Sequence, residues 1–210
     1  MRRLVLPLLS LVLALPAPAA PPDLPGRFDY YVLALSWSPT WCATEGGPEA
    51  DQCRRPLGFT LHGLWPQDEA GWPEDCATDA PDPTRRDSAA MADIMGSPGL
   101  AWYQWKKHGR CSGLSGRDYY RLSREAFRRI RIPEVFRRLD RDVKLPVQVV
   151  EEAFSEANPG LTPAMMTVSC TAGRIDEVRI CLTRDLVPRP CGADIARDCR
   201  LRDALMEAVR

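Results

Sequence analysis

Eight cysteines, Cys42, Cys53, Cys76, Cys111, Cys170, Cys181, Cys191 and Cys199, constrain this 210-residue chain more than any other feature. An even set of thiols is read either as disulfides or as metal ligands, and the compartment decides between the two. The N-terminus supplies the compartment. Met1 to Arg3 carries two positive charges, Leu4 to Leu15 is an apolar run, and Pro16 to Ala20 ends in small residues, the three parts of an export signal. The run is too short for a stable membrane span. Cleavage after Ala17-Pro18-Ala19 would leave a mature chain starting at Ala20. Residues 1–19 are therefore expected to be a signal peptide, and the product to be secreted or periplasmic with no membrane anchor.

In an oxidising compartment, eight cysteines favour four disulfides. None of them forms a Cys-x-x-Cys pair, and the two histidines, His62 and His108, lie far apart in the chain. Zinc-like ligand spacing is thus absent, and neither a metal nor another cofactor is expected. Spacing leaves the pairing open, although Cys42 with Cys53 and Cys181 with Cys191 would close short loops. With 28 basic and 28 acidic side chains, the net charge is zero, and loss of Arg2 and Arg3 with the leader makes it −2. That excludes the strongly basic profile of a tight duplex-DNA binder. It does not exclude a catalyst that must release a nucleic-acid product.

The remaining pattern reads as one α+β domain over residues 20–210, a central antiparallel sheet flanked by helices and stabilised by disulfides. Phe28 to Ser36 is a nearly continuous apolar and aromatic run, as in a central strand covered on both faces. Leu57 to Leu61 reads as a second strand, and Gln67 to Arg86, rich in Pro, Asp, Glu and Gly, as a surface loop. Ser97-Pro98 is a cap and first-turn signal for a helix running to Gly109. Further helices are expected where Tyr119, Leu122, Ala126 and Ile130 recur, over Pro133 to Leu139, and over Pro146 to Ala157. Met165 to Thr171 and Ile175 to Thr183 form an expected hairpin around Ala172-Gly173-Arg174. No internal repeat interrupts this order.

Chemistry is sought where the two histidines lie, because imidazole gives or takes a proton near neutral pH. His62 is expected to close the second strand in Phe59-Thr60-Leu61-His62-Gly63-Leu64-Trp65-Pro66. His108 ends the helix Trp102-Tyr103-Gln104-Trp105-Lys106-Lys107-His108. Gln104 and His108 share a helix face with Lys107 beside them, which gathers an amide, an ammonium and an imidazole. Trp102 and Trp105 are expected in the core, whereas Trp65, beside a proline, is a candidate for stacking on a planar ligand. A histidine beside a glycine is also a common turn or surface residue, so spacing alone leaves a catalytic pair open.

These two segments resemble a known family. His62-Gly63-Leu64-Trp65-Pro66 is similar to the first active-site segment of the ribonuclease T2 family, and Gln104-Trp105-Lys106-Lys107-His108-Gly109-Arg110-Cys111 to the second. Tyr31 to Trp37 resembles the opening strand of bacterial members, and Glu177 to Cys181 the late strand. The resemblance implies an α+β, metal-independent endoribonuclease that cuts single-stranded RNA through a 2′,3′-cyclic phosphate, and that spares DNA because DNA lacks the attacking 2′ hydroxyl. It implies His108 as general base, His62 as general acid, Lys107 as stabiliser of the charged transition state and Gln104 as a catalytic residue standing where the family's assisting glutamate lies. Trp65, Tyr103 and Gln67 would contact substrate. The implied disulfides are Cys42 with Cys53, Cys76 with Cys111, Cys170 with Cys199 and Cys181 with Cys191. A monomer is the expected state.

At two positions the chain departs from the family pattern, which has histidine and then glutamate where Tyr103 and Gln104 stand. Tyrosine brings no positive charge, and glutamine cannot exchange a proton. The expectation is an active enzyme with an altered rate or pH profile. The alternative is a catalytically weakened member serving as an RNA- or protein-binding module, or an unrelated disulfide-rich protein such as an inhibitor. Nine arginines between Arg117 and Arg141 suit either a phosphate path or, more simply, a solvated helix face.

Overall fold

A computed structural model describes residues 23–210. The expected signal peptide, residues 1–19, lies outside the described residues. Among the described residues no helix is long and apolar enough to cross a membrane. Six strands run in chain order as β1 (Tyr30–Trp37), β2 (Phe59–Gln67), β3 (Val143–Leu145), β4 (Met166–Thr171), β5 (Arg174–Leu182) and β6 (Ala204–Met206). The helices are α1 (Ser38–Trp41), α2 (Arg85–Ala90), α3 (Ala92–Met95), α4 (Pro98–Lys107), α5 (Gly116–Arg129), α6 (Glu134–Arg137) and α7 (Val147–Ala157).

β1 is the middle of the sheet, antiparallel to β2 on one side and to β5 on the other. β4 pairs antiparallel with β5, and β3 and β6 form a short ladder. The expected antiparallel sheet is thus present, with one departure: β6 meets the start of β5 in parallel at Arg174 and Leu205. Alternation along β1 gives each face its own core. Tyr31, Leu33, Leu35 and Trp37 pack with Trp105, Tyr119, Val150 and Phe154 of α4, α5 and α7. Tyr30 and Val32 point the other way, into a small cluster with Cys181 and Ile195 against which Trp65 packs. A strand buried on both faces explains the unbroken apolar run from which it was read.

Local signals account for the helix ends. The Ser97 side chain accepts from Leu100 N–H at the start of α4, with Pro98 in the first turn. The turn between β4 and β5 places Ala172 at φ 46° and Gly173 at φ 80°, a two-residue hairpin in left-handed backbone. Three expectations need correction. β2 does not stop at Leu61 but continues to Gln67, so His62 and Trp65 lie within a strand. The region read as a loop ends in α2, which Thr84 and Asp87 cap reciprocally. Trp102 is 36% exposed, while Trp105 alone of that pair is fully buried.

All four disulfides form, Cys42–Cys53, Cys76–Cys111, Cys170–Cys199 and Cys181–Cys191. Each staples a loop to the sheet or a helix. Cys170–Cys199 holds the 192–203 segment on β4, and Asp198 accepts from Thr167 Oγ1 at 2.6 Å and Val168 N–H at 2.9 Å beside it. Glu151 of α7, 5% exposed, faces this carboxylate. Burial and then the Asp198 charge push the Glu151 carboxyl up to about 7. A carboxyl raised in the native state contributes stability that is complete below its ordinary value of 4.5 and is lost as pH rises through about 7. Glu151→Gln should therefore leave stability at pH 4.5 unchanged and raise it at pH 8 by ~1–2 kcal/mol, or ~3–6 °C in Tm. Thermal unfolding at the two pH values checks this, and a pH-independent difference from the parent would refute it.

Candidate active site

The site grows from an irregularity in β2. Ala34 of β1 pairs with Gly63 and Leu35 with Leu61, so His62 has no partner and forms a bulge. In a regular strand, residues 62 and 65 would point to opposite faces. The extra residue brings them to the same face, where the His62 and Trp65 rings meet edge to face with centroids 5.2 Å apart. The β5 side is regular: Glu177 lies opposite Ser36, Arg179 opposite Ala34 and Cys181 opposite Val32, all on this face by period-two alternation. Ser36, Ala34 and Gly63 are small. They leave room at the middle of the sheet for the longer side chains at its flanks.

α4 delivers the second histidine. His108 caps its C-terminus and also lies against the indole, its ring centroid 5.2 Å from that of Trp65 and tilted by 35°. The indole is held in place beside both imidazoles by Gln104, whose Oε1 accepts from Trp65 Nε1 at 2.7 Å. Gln104 is 1% exposed. This hydrogen bond explains Gly63, because a Cβ there would lie 2.4 Å from both Gln104 Oε1 and Trp65 Nε1. Gly109 is dictated in the same way by the rings of Trp105 and Tyr119. Tyr119 of α5 completes the frame, donating from its hydroxyl to the Leu64 carbonyl at 2.9 Å.

The two imidazoles sit in opposite electrostatic settings. His62 Nδ1 meets Glu177 Oε2 at 2.6 Å. Glu177 is 3% exposed; burial alone would raise its carboxyl, but the hydrogen bond and charge of His62, with Arg179 on its other oxygen at 2.7 Å, hold it below the usual carboxylate range. An Nδ1 committed to a carboxylate leaves Nε2 for proton transfer. His108 is different. Burial first, then Lys107, pushes it down to about 4, and its Nδ1 is buried without a hydrogen-bond partner among the described residues. It is a neutral base at ordinary pH.

Lys107 is tied to Glu74 at 3.1 Å, which holds the ammonium above its ordinary value and the carboxylate below its own. Glu74 belongs to the loop after β2, which Cys76–Cys111 fastens beside the end of α4. Two clefts meet at the sheet. One, of about 590 Å³, is lined by Trp65, Gln67, Trp72, Lys107, His108 and Arg179. The other, of about 490 Å³, is lined by Ser36, Thr60, His62, Asp176, Glu177 and Arg179.

With this geometry described, comparison with known proteins becomes specific. A model of the Ribonuclease T2 family matches residues 28–191. The chain belongs to the ribonuclease T2 family. It is similar to a ribonuclease of Aeromonas hydrophila, 47% identical over 98 residues, which are 47% of this chain and 44% of the relative. A probable ribonuclease of Haemophilus influenzae is 32% identical over 129 residues, covering 54% of this chain and 47% of the relative. The matches thus span less than half the length of these two relatives. Among solved structures, an RNase-related protein from Calystegia sepium superposes with a TM-score of 0.65 at 21% identity, covering 88% of this chain and 99% of that one. That likeness concerns the fold.

The structure gathers His62, Trp65, Gln104, Lys107 and His108 at one place on this T2 fold. Tyr103 does not join them; it is 51% exposed and lines a separate recess with Lys106, Lys107 and Arg110. Gln67 lines the larger cleft, but its amide is used on the Gly71 carbonyl at 2.8 Å, where it shapes the following turn. Trp65, read as a loop residue, is a strand residue whose indole N–H is occupied. Glu177, Arg179 and Glu74 were not foreseen as site residues. Three charges, Asp176, Glu177 and Arg179, inside a strand that is otherwise apolar from Ile175 to Leu182 were the available signal for the first two.

Two outcomes follow. Gly63→Ala should break the Trp65–Gln104 hydrogen bond, displace both imidazoles and cost ~2–4 kcal/mol by overpacking and loss of that bond, with activity falling further than Tm. Unfolding and activity assays of one preparation separate the two effects. Gln104→Glu should keep the acceptor for Trp65 but add a buried negative charge near His108, raising its basicity. With His108 as the base, the acid limb of kcat/KM should lie near pH 4 in the parent and move upward by ~1 pH unit in the variant. An unchanged limb would show that Gln104 acts only on Trp65.

Proposed function

We propose that the chain is an exported endoribonuclease, its mature domain spanning residues 20–210, that cleaves single-stranded RNA by transphosphorylation. Family membership supports the ribonuclease activity. The observation that carries the mechanism is that both imidazoles meet one indole, Trp65, each at 5.2 Å, one on a buried carboxylate and the other unpaired and poorly basic. A general base must be unprotonated at rest and a general acid protonated. His108, pushed down to about 4, suits the first role. His62, held at Nδ1 by the Glu177 carboxylate so that Nε2 is left for proton transfer, is assigned the second.

In this reading the nucleoside carrying the attacking 2′ hydroxyl occupies the cleft beside His108, and the one carrying the leaving 5′ oxygen occupies the cleft beside His62. His108 takes the 2′ proton as the 2′ oxygen bonds to phosphorus. The bond to the 5′ oxygen breaks, and His62 Nε2 protonates that oxygen. The products are a 2′,3′-cyclic phosphate and a free 5′ hydroxyl; water then opens the ring with the two roles reversed. The incoming phosphate competes with Glu74 for Lys107, whose ammonium meets the charge that develops on the non-bridging oxygens. Four disulfides favour an oxidising compartment, secreted or periplasmic.

Digestion of matched RNA and DNA single strands tests the reading. RNA alone should be cut, leaving cyclic phosphate ends visible by mass spectrometry, with no effect of a chelator. His62→Ala and His108→Ala should each lower kcat by ~10²–10⁴-fold. Full activity in either variant, or its loss on chelation, would overturn the mechanism.

A further inference from the structure

We infer that Arg179 is the anchor for the scissile phosphodiester, an inference that rests on the ribonuclease reading and assigns the phosphate its principal protein contact. The argument begins with position. Among the described residues, Arg179 is the one side chain that lines both clefts, so a dinucleotide with one nucleoside in each places its phosphodiester beside the guanidinium. The side chain is about one-third exposed, which makes it reachable from solvent.

The guanidinium is also held rigidly with its fork unused. Nε donates to Glu177 Oε1 at 2.7 Å, and the plane lies over the Trp65 indole with Cζ 5.3 Å from the ring centroid. Neither Nη atom forms a hydrogen bond among the described residues. A guanidinium fixed at Nε and open at both Nη atoms is pre-organised for two oxygens of a phosphate. Lys107, by contrast, already faces Glu74.

Arg179 differs from a purely structural partner of Glu177 in what its loss would change. Arg179→Gln keeps an amide donor for Glu177 Oε1 and removes only the cation and its fork. The inhibition constant for inorganic phosphate should rise about tenfold or more, as for loss of a charged hydrogen bond. KM for a dinucleoside phosphate should rise with it, and the salt slope of single-stranded RNA binding should fall by ~0.7. If the variant does not fold, the parent decides: with ¹⁵N-arginine labelling, the Arg179 Nε–H resonance should shift on titration with inorganic phosphate, saturating at the inhibition constant. An inhibition constant within twofold of the parent's, or an unshifted resonance, would overturn the inference. Phosphate binding at Arg179 in a parent that fails to cut RNA would instead refute the ribonuclease reading alone.

Discussion

Burial of β1 on both faces is the constraint on which the rest of the structure depends. Its odd-numbered residues close the core under the helices, and its even-numbered ones, Tyr30, Val32, Ala34 and Ser36, floor the opposite face. A strand so placed cannot slip by one residue without moving Leu33, Leu35 and Trp37 out of the core and Ser36 into it. Its register therefore fixes the neighbours on both sides. On β5 it aligns Glu177 and Arg179; on β2 it leaves a single place for an unpaired residue, and His62 occupies it. The bulge costs one ladder position and gains a histidine and a tryptophan on one face.

From that frame the division of labour between two chemically identical side chains follows. His108 is enclosed at a helix end beside a lysine, so the charged form is disfavoured. His62 stands on a carboxylate whose ionised state is secured by Arg179 and by His62 itself. The settings differ because the neighbours do, and Trp65, held by Gln104, keeps both rings against one indole. The glutamine can do this as well as a glutamate would. What it withholds is a negative charge that would make His108 more basic, so glutamine at this position is expected to act on pH dependence before it acts on geometry.

Much of this was legible in the residues, and the limits were physical. β1, α4, α5, α7 and the hairpin were read with small errors at their ends, because apolar periodicity, the Ser97-Pro98 cap and the Ala172-Gly173 turn are local signals. β3 and β6, three residues each, carry no period long enough to detect. β2 was cut short because a bulge breaks alternation at the residue of interest. The Cys76–Cys111 and Cys170–Cys199 pairings came from family resemblance, since nothing in spacing selects them. Glu177 was visible only as one of three charges, with Asp176 and Arg179, in the late strand; that it meets a histidine 115 positions away is a fact of register.

The neutral net charge can be located as well as counted. Six of the nine arginines between Arg117 and Arg141 pair with acids: Arg117 with Asp87, Arg121 with Asp118, Arg124 with Asp93, Arg128 and Arg129 with Glu125, and Arg138 with Glu134. Exposed pairs of this kind contribute little stability, but they cancel the field that a run of arginines would otherwise project. The α5 face is accordingly a solvated, self-neutralised surface and a poor track for a polyanion. On the ribonuclease reading, the phosphate is instead held where the two clefts meet, at the Arg179 guanidinium that lines both of them. A polymer held at one phosphate and released elsewhere is bound briefly, which suits an enzyme whose product is a shorter piece of the same polyanion.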